Sequence, residues 1–259
     1  MGPFLRLVEY ATGRESPQIE ALSCLWRRIL SALPGFPSRL RAYAERMRVT
    51  KFEHSALAID ESGQTLVIDP GGFTRPLGSL TSVAAIVITH EHPDHWTAAQ
   101  LESLLDSNPE ARILGPLEVA TAAGKAGFTV ETVADGDTVE VGPFTLRFAG
   151  TTHAVIHSSL PTIDNTGVLV NGTLFHPGDS FTVPKFPVAV LATPVGAPWL
   201  KIGEAIDYVT AVAPGSILPI HEATLSDVGF SMHVDRLKAA VEGVGGSSTV
   251  VAAGESIEL

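Results

Sequence analysis

Only one of the 259 residues is a cysteine, Cys24. That excludes a disulfide scaffold and any zinc finger or ribbon built on several thiolates. A metal held by this chain must be held by imidazole and carboxylate, and nine histidines make that feasible. Long apolar runs are also lacking, and none reaches the roughly 18 residues that a membrane span needs. The N-terminus has neither the compact apolar core nor the small-residue cleavage site of a secretory signal, so a cytoplasmic protein is expected. Basic residues are scarce, 17 against 28 acidic, for a formal net charge of −11. That balance disfavours nucleic acid as a partner, short of a local basic groove. It points to a small-molecule substrate and leaves a homo-oligomer open.

The shortage of positive charge is uneven. Residues 1–48 hold eight Arg against four acids and contain no Lys or His. The rest of the chain holds nine basic and 24 acidic side chains. Residues 1–47 therefore read as a separate N-terminal extension with one amphipathic helix. Ile19, Leu22, Trp26, Ile29, Leu30 and Leu33 keep helical spacing, Ser16 and Pro17 suit its start, and Pro34-Gly35 stops it. Three readings stay open: an accessory helix on the main domain, an extension ahead of a natural start at Met47, and a membrane-surface or partner-binding helix.

Residues 48–259 read as one domain. Strand signals at Ala56–Asp60 and Thr65–Asp69 flank a Glu-Ser-Gly turn, and Val83–Thr89 is the continuous apolar run of a buried strand. Helices are predicted over Thr97–Asp106, Leu117–Ala126, Gly203–Val212 and Val234–Val241. Further strands are predicted at Arg112–Leu114, Thr129–Val133, Thr138–Val141, Phe144–Ala149, Gly167–Val170, Thr173–Phe175, Val188–Leu191, Ile217–Ile220, Thr249–Ala252 and Ser256–Leu259. Strands come in groups separated by helices, not in strict βαβ alternation. The expected class is α+β, two mixed sheets packed face to face with helices outside.

The densest chemistry sits directly after the apolar strand, in Thr89-His90-Glu91-His92-Pro93-Asp94-His95. A loop at the carboxyl end of a buried strand is where a rigid scaffold places functional groups. Neutral imidazole and carboxylate suit zinc, with manganese or iron as alternatives. Three later residues also follow predicted strands: His153 in Thr152-His153-Ala154, Asp179 in Pro177-Gly178-Asp179, and His221 in Pro219-Ile220-His221. Each is weak alone, and their shared placement is what raises them.

With these motifs in that order, residues 48–259 resemble the metallo-β-lactamase fold superfamily. Phe52-Glu53-His54-Ser55 and Ile68-Asp69-Pro70-Gly71-Gly72 make the chain similar, within it, to the metal-dependent hydrolases that include ascorbate-phosphate lactonase-like enzymes. The resemblance implies a four-layer αββα sandwich with two divalent metal ions at one edge. It implies that His90, His92 and His153 hold the first ion, that Asp94, His95 and His221 hold the second, and that Asp179 bridges them. His157 competes with His153. The implied activity is a hydrolase that uses a metal-bound hydroxide on a small ester, lactone, amide or phosphoester, with Asp94 and His54 as catalytic residues. The alternatives are a phosphodiesterase or nuclease of the same fold and a metal-binding regulatory protein without catalysis. Asp69 reads either as an acceptor behind a ligand histidine or as a turn cap. His176 reads as structural or as support for a ligand. Trp199 and Lys201 read either as pocket-lining groups or as a packed indole and an exposed cation.

Overall fold

The computed structural model describes residues 47–259; the predicted helix of the N-terminal extension and Cys24 lie outside the described residues. The described unit is Met47–Leu259. Its strands form two seven-stranded sheets. The first contains β1 (Arg48–Lys51), β2 (Leu57–Glu61), β3 (Gln64–Ile68), β4 (Val83–Val87), β5 (Arg112–Gly115) and β6 (Glu131–Thr132), and β14 (Ser256–Glu258) returns to pair with β1. The second contains β7 (Thr138–Val141), β8 (Phe144–Ala149), β9 (Gly167–Val170), β10 (Leu174–His176), β11 (Val190–Pro194), β12 (Ser216–Ile220) and β13 (Ser247–Ser248), in spatial order from β13 down to β7.

Three apolar interfaces hold the layers together. Between the sheets, Leu57, Ile59, Leu66 and Ile68 meet Leu146, Phe148, Val168, Leu174, Val190 and Leu218. Outside the first sheet, Val67, Ile86 and Ile88 pack against Leu101 and Leu104 of α1 (Ala98–Ser107) and Val119 of α2 (Leu117–Lys125). Outside the second, Leu169, Leu191 and Ile217 pack against Ala205 and Val209 of α3 (Ile202–Val212) and Leu237 and Val241 of α4 (Asp227–Gly243). This is the expected αββα sandwich. Strands buried on both faces cannot alternate, which is why β9 and β11 are apolar or buried at every position.

Strand direction sets where the chemistry lands. β3 and β4 run parallel, as do β10, β11 and β12. β8 and β10 each pair antiparallel with β9 and so share one direction. Their carboxyl ends deliver Asp69, His90, His153, Asp179 and His221 to one rim. Backbone hydrogen bonds tie the halves there: Thr166 N–H donates to the Thr89 carbonyl at 2.9 Å, and His221 N–H donates to the His54 carbonyl at 2.9 Å.

Most predicted elements stand within two residues of their expected ends, but no strand is predicted at β1, β11 runs three residues past Leu191, and two differences are larger. α4 starts seven residues earlier than expected, at Asp227, capped by the Ser226 hydroxyl, which accepts from Gly229 N–H. The strand expected at Thr249–Ala252 is instead the short edge pair Ser247–Ser248, beside Ser216 and Ile217. Among the described residues, no helix is long and apolar enough to cross a membrane.

Candidate metal centre

The rim gathers three groups of donor atoms, those of each group within 4.8 Å of one another: His90, His92 and His153; His54, Asp94, His95 and His221; and His90, His95 and Asp179. The two predicted ligand triads are therefore each brought together, and Asp179 lies beside both. His95 Nε2 and His221 Nε2 each stand 3.1 Å from Asp179 Oδ1, and His153 Nε2 stands 3.4 Å from Asp179 Oδ2.

Proximity here does not amount to pairing. His95 Nε2, His153 Nε2, His221 Nε2 and Asp179 Oδ1 are buried and make no hydrogen bond. Orphaned buried polar atoms are rare because each forfeits its hydration, and here three ring nitrogens gather at the Asp179 carboxylate. Asp69, Asp94 and Asp179 are paired only with imidazoles among the described residues. Three carboxylates with no Lys or Arg beside them call for positive charge. The donor set thus fits divalent cations.

The protein fixes each imidazole from behind. Asp69 is fully buried at the end of β3, with φ of 48°. Its Oδ1 accepts from Thr89 N–H at 2.8 Å, and its Oδ2 accepts from the Thr89 hydroxyl at 2.8 Å and from His95 Nδ1 at 2.7 Å. Having given its only proton to Asp69, the Thr89 hydroxyl accepts from His90 Nδ1 at 3.1 Å. His153 Nδ1 donates to the Ala154 carbonyl at 2.5 Å, and His221 Nδ1 donates to the Gly196 carbonyl at 2.6 Å. All four rings therefore carry a proton on Nδ1 and turn Nε2 to the centre, the arrangement that outer hydrogen bonds give a metal-binding histidine. His92 presents Nδ1 instead, 3.1 Å from His90 Nε2.

Electrostatics agrees with neutral rings at His90, His92 and His54. Burial pushes His90 well below the usual imidazole range and lowers His92 and His54. Burial would also lower His95, but the Asp179 and Asp69 carboxylates on its two nitrogens outweigh it and raise the group. Burial opposes ionisation of Asp94, yet the His54 hydrogen bond and the neighbouring His95 and His221 bring it down to about 2. Asp179 lies well below the carboxylate range, because His95 and His221 overcome its desolvation.

The remaining expected residues divide. His54, fully buried with φ of 61°, contacts Asp94 Oδ2 through Nε2 at 3.1 Å, and its ring lies 3.8 Å from that of His221. Asp69 combines both readings offered for it, since its backbone carbonyl also accepts from Gly71 N–H in the turn. His176 is structural: Nε2 donates to the Ser55 carbonyl and Nδ1 accepts from Gly178 N–H. His157 is exposed and bonded within its own loop to Ser159. Trp199 is a packed indole whose Nε1–H donates to Asp179 Oδ2 at 2.8 Å, while Lys201 is exposed and paired with Glu204. Thr89 and Asn165 had no role in the sequence reading. The Asn165 side chain accepts from Asp179 N–H at 2.9 Å and donates to the Pro177 carbonyl at 2.8 Å, which sets the turn that aims Asp179. Thr89 abuts the histidine motif, but nothing local in the sequence marks Asn165.

The motif loop is also wedged in place by glycine. A Cβ on Gly71 would fall 1.6 Å from the Asp94 carbonyl oxygen. Only hydrogen fits there, so the β3 turn and the loop carrying Asp94 and His95 touch backbone to backbone.

Comparison with known proteins agrees. A family profile described as the beta-lactamase superfamily domain matches residues 48–221. Protein Rv0786c of Mycobacterium tuberculosis is 41% identical over 197 residues, covering 74% of this chain and 91% of its own length. A UPF0173 metal-dependent hydrolase of Anoxybacillus flavithermus is 26% identical over 237 residues, covering 82% of this chain and all of its own. In three dimensions, Igni18, a metallo hydrolase from Ignicoccus hospitalis, superposes with a TM-score of 0.64 at 21% identity, covering 83% of this chain and 98% of its own. With the sandwich, the rim and the profile in agreement, the chain belongs to the metallo-β-lactamase superfamily.

Proposed function

We propose that the protein is a metal-dependent hydrolase of a small ester, lactone, amide or phosphoester. His90, His92 and His153 would hold one divalent ion, Asp94, His95 and His221 a second, and Asp179 would serve both. Zinc is the first choice, with manganese or iron as alternatives. The observation that carries this reading is the set of four buried, unbonded donor atoms that face one another while the opposite nitrogen of each ring is anchored.

Divalent ions held there supply Lewis acidity to a substrate oxygen and bring the acidity of water toward neutral pH. The chain's own residues do the rest. Asp94 is the most exposed of the three carboxylates. Ionised down to about pH 2, it is available at neutral pH to accept and orient a proton. His54 Nδ1 accepts from Ala223 N–H at 3.4 Å, which leaves the proton on Nε2 to be donated to Asp94. His54 thereby fixes which Asp94 oxygen faces away. Trp199 does the same for Asp179.

The test is metal analysis of the purified protein, followed by turnover of ester, lactone, amide and phosphodiester panels before and after chelation. Turnover that disappears with the metal and returns with zinc supports the reading. Protein that neither carries nor takes up metal overturns it, and tight metal binding with no turnover favours the regulatory alternative.

A further inference from the structure

The loop between His153 and Asp164 is closed at its base. Thr152 bridges Asp164, and His153 N–H donates to the Ile163 carbonyl at 2.9 Å. Compact surface loops with paired ends commonly carry function. This one holds aliphatic side chains in water: Val155 is 65% exposed, Leu160 50% and Ile156 39%. Such a cluster is costly unless a ligand or partner covers it.

The floor of the adjacent cleft says what covers it. The cleft is small and open to solvent, and His92 and His153, two of the three donors of the first triad, line it together with Val155, Ile156, Leu160 and Ile163. Among the described residues, no Lys, Arg, Asp or Glu lines it. A group lying in the cleft has one end at the reactive rim and the other against aliphatic walls. Away from the metal-facing rim, an anion would meet no Lys or Arg along these walls, and a sugar would leave most of its hydroxyls unpaired.

We propose that this cleft binds the uncharged, apolar portion of the substrate. That makes the preferred substrate a carboxylic ester or lactone with a hydrocarbon chain or ring beside the scissile carbonyl. This deepens the hydrolase reading and rests on it. Ile156 and Leu160 are the specificity-determining side chains.

The experiment measures two series on the full-length, metal-analysed protein. Binding of acetate, butyrate, hexanoate and octanoate is followed by calorimetry. Hydrolysis of the p-nitrophenyl esters of the same acids is followed as kcat/KM. Each buried methylene is expected to tighten Kd about fourfold until the chain leaves the cleft. Ile156→Ser and Leu160→Ser should each flatten that dependence, and both positions are exposed enough to tolerate serine. Chain-length-dependent binding with no turnover of any ester, lactone, amide or phosphodiester would keep the apolar site and sink the hydrolase reading. Turnover indifferent to chain length, or faster on bis(p-nitrophenyl) phosphate than on any ester, would leave the hydrolase and overturn this inference. So would a dimer that Ile156→Ser converts to monomer while chain-length dependence stays flat, since the loop would then be a self-interface.

Discussion

Asp69 lies behind the metal-facing atoms, yet its replacement by asparagine should empty the centre. One amide must replace a carboxylate that accepts three hydrogen bonds. Thr89 N–H is a backbone donor that cannot turn, so the amide oxygen is pinned to it and the NH2 group takes the position of Oδ2. That group is a donor, and it now faces His95 Nδ1 and the Thr89 hydroxyl. His95 can answer only by moving its proton to Nε2, the atom 3.1 Å from Asp179. The Thr89 hydroxyl now accepts from the amide, so its proton points to His90 Nδ1 and drives the His90 proton to Nε2 as well. A single O-to-NH2 change therefore blocks one donor in each triad. Loss of one outer partner costs about 10–100-fold in metal affinity, so two together should cost about 10²–10⁴-fold. Thr89→Val removes the link to His90 and one bond to Asp69 Oδ2 but leaves His95 anchored on Asp69, and should cost about tenfold. Competition against a chelator of known affinity gives the numbers, and 15N shifts of the imidazoles in metal-free protein report the tautomers. If Asp69→Asn holds metal as tightly as the parent, the tautomer argument is wrong.

Four further outcomes follow from the same geometry. His92→Ala or Asp94→Ala should abolish metal-dependent turnover while the circular dichroism spectrum stays that of the parent, because both side chains are partly exposed at the rim. Removing metal by chelation should lower the melting temperature by about 5–10 °C and re-addition should restore it, since a ligand at 100 times its Kd contributes about 2.7 kcal/mol. Gly71→Ala should destabilise the protein by about 3 kcal/mol in urea unfolding and lower metal content, because the new Cβ displaces the backbone bearing Asp94. Trp199→Phe keeps an aromatic ring beside Phe181 but removes the hydrogen bond to Asp179; a roughly tenfold fall in kcat/KM with a melting temperature within a few degrees is expected.

The sequence showed the donors better than it showed their supports. His90 to His95 share one loop, the strands before Asp179 and His221 are largely apolar, and the alternating strand β8 precedes His153, so those positions could be read locally. β7 and β8 match their predicted bounds, because a Gly-Pro turn separates two alternating segments. The first two turns of α4 escaped because Val228 and Met232 point outward there, 70% and 60% exposed, and Phe230 alone packs inward. The edge strand Ser247–Ser248 is polar and owes its place to backbone pairing alone. The supporting roles of Asn165, Trp199 and the Gly196 carbonyl arise from contacts between residues 14 to 25 positions apart. No periodicity or motif announces such contacts; they exist only once the strands are in register.

The rim where the two sheets meet also has a mechanical meaning. His90, His92, Asp94 and His95 belong to the first sheet's half of the molecule, and His153, Asp179 and His221 to the second. Neither half owns a complete triad, so an ion bound as proposed would act as a rivet through the seam between them. The core between the sheets holds the two halves by area, whereas the centre holds them at one point on the margin. Whatever loosens that margin, whether acid, chelator or a misplaced Cβ, should release the metal before it melts either sheet, and the protein should fail from its active edge inward.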